Sequence, residues 1–127
     1  MNELKIRALG ANPGNVRAPL YIRDSALPAG TPFILIRQEL GAEDAAILGR
    51  CAAVILTRSG LTGDGAIMAR ALGKPCVVSA AAIRLQSTSI GVVLDDAPVG
   101  EPSMTTFAEG IMGSIDGKTG DIVLERP

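Results

Sequence analysis

The chain contains no histidine and no tryptophan, and its aromatics are limited to Phe33, Phe107 and Tyr21. Without histidine it lacks the commonest general base near neutral pH and the commonest zinc ligand. A Ser–His or Cys–His couple supplied by this chain alone is excluded. The scarcity of aromatics removes any platform on which nucleobases could stack. Charge is not concentrated in one sign: the formal net charge is −1 and no block of like charges occurs. The basic face that a nucleic-acid partner requires is therefore missing. Only two cysteines occur, Cys51 and Cys76, each inside an apolar run ("CAAVIL", "PCVVSA"). That setting suits small buried hydrophobes rather than a disulfide or a reactive thiol. Two cysteines with no histidine make no metal site, so neither metal nor cofactor is expected. No apolar run approaches membrane-spanning length, and "MNELKIRALG" lacks the apolar core of a signal peptide. The expectation is a cytoplasmic, reduced protein with no membrane partner.

What is present is an ordinary globular composition. The 127 residues are 47% apolar and 20% charged, enough for one domain over residues 1–127 and too few for two. Short β-type runs alternate with short helical patches. "LKIRAL" (4–9) reads as a strand, "GANPG" (10–14) as a turn, and "PLYIR" (19–23) as a second strand. "PFILIR" (32–37) is continuously apolar and reads as a buried strand. "GAEDAAILGR" (41–50) has acids early and arginine last, the charge order that suits a helix dipole.

"AAVILT" (52–57) is another buried strand, followed by the loop "RSGLTGD" and the helical "GAIMARAL" (65–72). Ile67, Met68, Ala71 and Leu72 fall on one helical face, Gly73 can end the helix and Pro75 prevents its continuation. "PCVVSA" (75–80) completes a strand–loop–helix–strand crossover between parallel strands. Beyond it lie a strand "IGVVLD" (90–95), a Pro/Gly stretch "DAPVGEP" (96–102) and an ambiguous "TTFAEG" (105–110). "GSIDGKTGDIVLE" (113–125) reads as strand, tight turn, strand. The fold class is α/β, with a central parallel βαβ unit and β-hairpins supplied by both ends.

Two loops invite nucleotide readings, and both fail. Gly63-Asp64-Gly65 begins a dinucleotide fingerprint, but Met68 stands where its third glycine belongs and no acid follows at the ribose distance. "DGKTG" (116–120) has Met112 where a phosphate-binding loop needs glycine, and a strand follows instead of a helix. A serine or threonine nucleophile at Ser59 or Thr62 has no base nearby in sequence. Asp64 remains. Its favoured role is the N-cap of the helix, accepting a backbone N–H for about 1 kcal/mol. Its sharper role is that of a phospho-acceptor, since carboxylates form acyl phosphates. A capping carboxylate is a poor nucleophile, because those N–H groups already stabilise its charge.

Taken together, four stretches resemble one family, the swivelling phosphohistidine domain of the phosphoenolpyruvate (PEP)-utilising enzymes. The central domain of pyruvate phosphate dikinase is the nearest likeness. "LGANPGN" (9–15) resembles the family's opening "G-x-x-A-S-P-G-x" turn, and "PFILIRQELGAEDAAIL" (32–48) its strand followed by "R-x-E-x-x-P-E-D". Residues 52–85 resemble the signature block "G-G-x-T-S-H-A-A … A-R-x-x-G-x-P", and "GSIDGKTGDIVL" (113–124) the closing "I-D-G-x-T-G-x-V" hairpin. The resemblance implies a swivelling β/β/α domain. In that family the histidine of the signature block carries a phosphoryl group, and the domain swings between a nucleotide-grasp domain and a barrel domain. A histidine at a helix mouth suits that chemistry, because helix N–H groups hold the phosphate.

By the same resemblance the histidine position holds Asp64, the preceding serine Gly63 and the following alanine Gly65, while Thr62 is retained. Gly60, Gly63 and Gly65 would line the phosphate cradle, and Asp64 and Thr62 would be the catalytic candidates. The loop between Thr57 and Thr62 is one residue shorter than the family's. Three functions follow as expectations. The first is an interaction or regulatory module that no longer carries phosphohistidine. The second is a phosphoryl carrier in a dikinase-like or PEP-synthase-like reaction, using Asp64 or Thr62. The third is a swivel subunit capping the active site of a larger enzyme. Under each, the chain is not a complete enzyme and works with protein partners.

Overall fold

The computed structural model describes residues 3–23, 30–93 and 104–126. The connection at 24–29 and the Pro/Gly stretch at 96–102 lie outside the described residues. Eleven strands are described: β1 (Glu3–Arg7), β2 (Leu9–Asn12), β3 (Asn15–Tyr21), β4 (Ile34–Arg37), β5 (Ala53–Leu56), β6 (Cys76–Val78), β7 (Ile83–Leu85), β8 (Ser89–Val93), β9 (Met104–Ala108), β10 (Met112–Asp116) and β11 (Asp121–Glu125). Two α-helices join them, α1 (Ala45–Arg50) and α2 (Asp64–Ala71). Eight strands run in the order β1-β11-β10-β3-β4-β5-β6-β2, and β7-β8-β9 form a separate antiparallel sheet.

Consecutive strands β1 and β2 stand at opposite ends of that order, so the eight strands fold over into two layers. The chain turns the corner at Ala8, whose N–H donates to the Gly120 carbonyl at 2.9 Å. Strand β3 makes the other corner. Its first part pairs antiparallel with β10, and Leu20 and Tyr21 pair parallel with β4. Strands β3, β4, β5 and β6 are parallel neighbours, with α1 between β4 and β5 and α2 between β5 and β6.

The continuous apolar runs of β4, β5 and β6 are explained by burial on both faces. Alternate residues serve two cores. Ile34, Ile36, Ala53, Ile55 and Val77 face the first, with Leu20 at the β3 corner and Ile6, Ile115, Ile122 and Leu124 of the second sheet layer. Leu35, Val54, Leu56, Cys76 and Val78 face the second, with Ile47 and Leu48 of α1 and Ala66 and Ala69 of α2. This is the β/β/α layering that the resemblance implies.

Two local expectations are corrected. The N-terminal strands form no hairpin with each other: β1 pairs with β11 and β2 with β6. "GANPG" is not all turn, since Gly10, Ala11 and Asn12 lie in β2. Gly10 is there for close approach, because a Cβ on it would strike the carbonyl oxygens of Gly117 and Lys118. The ambiguous segment at 105–110 belongs largely to strand β9. The C-terminal hairpin β10–β11 forms as expected, with Gly120 at φ +88° in its turn. No helix among the described residues is long and apolar enough to cross a membrane.

Candidate functional site

The carboxyl end of β5 delivers the loop that opens α2. Two backbone bonds prolong its pairing with β4: Thr57 N–H donates to Arg37 at 2.9 Å, and Arg58 N–H to Gln38 at 3.0 Å. Ser59 is buried, and its carbonyl accepts both the N–H and the hydroxyl of Ser79, at 2.9 and 3.2 Å. Ser79 holds a left-handed φ of +54° to make this double contact. That conformation costs an ordinary residue about 1 kcal/mol. Neither residue type signals the arrangement in the sequence, so the anchor was not legible there.

A turn then closes through Gly63 N–H to Gly60 O at 3.1 Å, and the first helical bond runs from Ile67 N–H to Gly63 O at 3.1 Å. Gly63 is the N-cap residue, with extended backbone and no side chain to cap with. Asp64 is therefore the first residue of the helix, exposed to solvent, and no side-chain cap bond is made. The expected Asp64 cap is overturned. The cap position is held by a residue without a side chain, so the first-turn N–H groups receive none. Asp64 still favours the helix through its charge in the first turn.

The face that α2 buries also differs from expectation. Gly65, Ala66 and Ala69 are its buried residues; of the expected stripe only Met68 packs, half-buried, against the core, while Ile67 and Leu72 are 53% and 48% exposed. Small residues let the helix lie close on the sheet. A Cβ on Gly65 would sit 2.5 Å from Leu56 Cδ1 and 3.4 Å from Leu40 Cβ. Asp64, Ile67 and Ala71, spaced i, i+3, i+7, consequently form the outward stripe. Leu61, 42% exposed, adds a further apolar side chain from the loop.

The candidate residues thus occupy one continuous loop–helix junction. Gly60 and Thr62 are exposed, and nothing lies within 4 Å of a Cβ built on Gly60. Gly65 is buried for packing. The residue that organises the junction is Arg70. Its Nε donates to Ala11 O on β2 at 2.9 Å and its Nη2 to Leu61 O at 2.8 Å, tying helix, loop and edge strand together. Asn12 Nδ2 adds a bond to Lys74 O at 2.9 Å beyond the helix. The "A-R" of the signature block was visible in the sequence, but this clamp was not. Cys51 and Cys76 sit beneath in the helix-side core, where burial pushes their thiols up to about 11 and about 12. No group of three or more His, Cys, Asp or Glu residues that could hold a metal occurs among the described residues.

Comparison with known proteins agrees with this architecture. The family model "PEP-utilising enzyme, mobile domain" matches residues 29–120. Pyruvate, phosphate dikinase of Clostridium symbiosum is 33% identical over 119 residues, which are 91% of this chain and 13% of that protein. The dikinase of Rhizobium meliloti (strain 1021) is 29% identical over 119 residues, 91% of this chain and 12% of that protein. Pyruvate, phosphate dikinase 2 of Oryza sativa subsp. japonica is 30% identical over 97 residues, 76% of this chain and 10% of that protein. The chain spans about a tenth to an eighth of the length of these relatives. Among solved structures, "N-terminal domain of Enzyme 1 - Nitrogen" superposes with a TM-score of 0.50 at 25% identity, covering 79% of this chain and 33% of that one. The chain belongs to the family of PEP-utilising enzyme mobile domains.

Proposed function

We propose that this chain is a swivelling domain that docks onto partner domains through the face around the α2 mouth and carries no phosphohistidine. The observation that carries the reading is the outward stripe of α2. An exposed carboxylate, Asp64, stands at the mouth beside exposed apolar side chains of Leu61 and Ile67, on a junction held in shape by Arg70. The chain has no histidine to phosphorylate. The docking partners are the nucleotide-grasp and PEP/pyruvate barrel domains or subunits that the family's reaction uses. Apolar side chains left outward on a short helix suit intermittent burial against such surfaces.

One observation favours a second reading, a phosphoryl carrier working through Asp64. The carboxylate does not cap its helix, so backbone hydrogen bonds do not quench its nucleophilicity. Incubation with radiolabelled PEP, or with labelled ATP and candidate partner subunits, separates the two. The docking module takes up no label. A carrier takes up an acyl phosphate that hydroxylamine removes and that Asp64→Asn abolishes. Asp64→His adds a diagnostic: acid-labile label on that variant alone would mean that the cradle survives and only its nucleophile is missing. Partner binding is read separately by co-sedimentation, where Ile67→Asp should abolish the complex. A complex unaffected by Ile67→Asp and Leu61→Asp would refute docking through this face.

A further inference from the structure

We propose a second, separate site: an anion-binding cavity beyond the carboxyl ends of β4, β5 and β6 that accepts a small phosphate-bearing molecule. The cavity, about 390 Å³, is lined by Gln38, Thr57, Arg58, Ala81, Ile83, Arg84 and Leu85. Gln38 follows β4 and Thr57 and Arg58 follow β5. Ala81 lies in the segment leaving β6, and Arg84 in β7. This is where open parallel sheets place their ligands, because strand ends and the loops leaving them form a crevice. The site shares no residue with the Gly60–Gly65 junction and does not depend on the reading of Asp64.

Its charge is uncompensated. Arg58 and Arg84 line it and no Asp or Glu does. Arg84 Nη1 donates to the carbonyls of Ala81 and Ile83, and no bond to a described residue uses its other N–H groups. Arg58 makes no ion pair or side-chain hydrogen bond with any described residue. Four other arginines are neutralised by carboxylates. Arg7 pairs with Asp121, Arg17 with Glu125, Arg23 with Glu109 and Arg37 with Asp44. Two arginines, with Thr57 and Gln38 also lining the cavity, match the charge and hydrogen-bonding capacity of a phosphomonoester dianion better than those of a monocarboxylate. The volume is at the small end of ligand sites, which suits a metabolite-sized phosphate.

The test is titration of the whole chain at constant ionic strength with inorganic phosphate, a simple phosphomonoester such as glycerol phosphate, and acetate. Amide NMR shifts and calorimetry provide the readouts. Phosphate and the ester should shift Thr57, Arg58 and Ala81–Leu85 with one saturable constant. Arg58→Met and Arg84→Met should each weaken binding about ten-fold or more, as expected for losing a charged hydrogen-bonding partner. Arg58→Lys should fall between, while Lys5→Gln leaves the constant unchanged. Thermal unfolding of each variant checks that it is folded. Acetate binding as tightly as phosphate, shifts scattered over the surface, or arginine variants that bind like the parent would each overturn the proposal. A phosphoprotein partner competing where the free ester does not bind would also overturn it, in favour of a phosphorylated side chain.

Discussion

Replacing Arg70 with methionine tests the view that one side chain holds the loop–helix junction in shape. The substitution keeps the apolar stem and removes the fork. Two bonds disappear, Nε to Ala11 O at 2.9 Å and Nη2 to Leu61 O at 2.8 Å. A hydrogen bond from a charged donor contributes about 1.5–3 kcal/mol when desolvated. Arg70 and Leu61 are exposed and Ala11 is half-buried, so water can replace the lost partner and each bond is discounted several-fold. The sum is about 1–2 kcal/mol. In a domain of this size that lowers the melting temperature by about 4–8 °C. Arg70→Lys keeps the charge but replaces the two spaced donors of the rigid fork, Nε and Nη2, with one point of donation, so about half of the loss should remain. The loss should also be local. Amide exchange at Gly63 and Ile67, whose N–H groups close the turn and the first helical bond, should accelerate before that of β4 and β5. Unchanged melting together with unchanged exchange at Gly63 and Ile67 would refute the clamp.

Four further outcomes are expected. Burial of Glu109 opposes its ionisation, but hydrogen bonds from the Arg23 side chain and from the N–H groups of Arg23 and Ile22, with the Arg23 charge, outweigh it and hold the carboxyl below its ordinary 4.5. A depressed folded value means that its stabilisation is complete above pH 4.5 and is lost as pH falls through the folded value. Unfolding followed from pH 7 to pH 3 should therefore show an acid limb that Glu109→Gln flattens, with a cost of about 2 kcal/mol at neutral pH. Gly117→Ala would drive a Cβ into the Asn12 carbonyl and should cost about 3 kcal/mol or more. Gly60→Ala, with open space around it, should stay within about 0.5 kcal/mol by denaturant titration. Cys51 and Cys76, buried and with raised thiols, should resist alkylation at pH 8 until the chain is unfolded, so fast native labelling at either would contradict the core.

Amino-acid order alone determined the α/β class, the two-faced burial of β4 and β5, and the strand–loop–helix–strand unit that carries the candidate site. Those features rest on short-range patterns: continuous apolar runs such as "AVIL", a helix bounded by Gly73 and Pro75, and a hairpin written in Asp116–Gly120. The absence of histidine likewise excludes a phosphohistidine on this chain. Which face of α2 turns inward was decided by tertiary packing. Ile67 and Leu72 form as good an apolar stripe as Gly65, Ala66 and Ala69, and only the need for close approach to Leu56 and Leu40 selects the small residues. The corner at Ala8, the Arg70 clamp and the Ser79 anchor join residues far apart in the chain, so no local window could contain them. The pairing of Arg58 with Arg84 in one cavity belongs to the same class. Local propensity writes the elements, whereas long-range backbone contact decides which side chains meet and which are left facing outward.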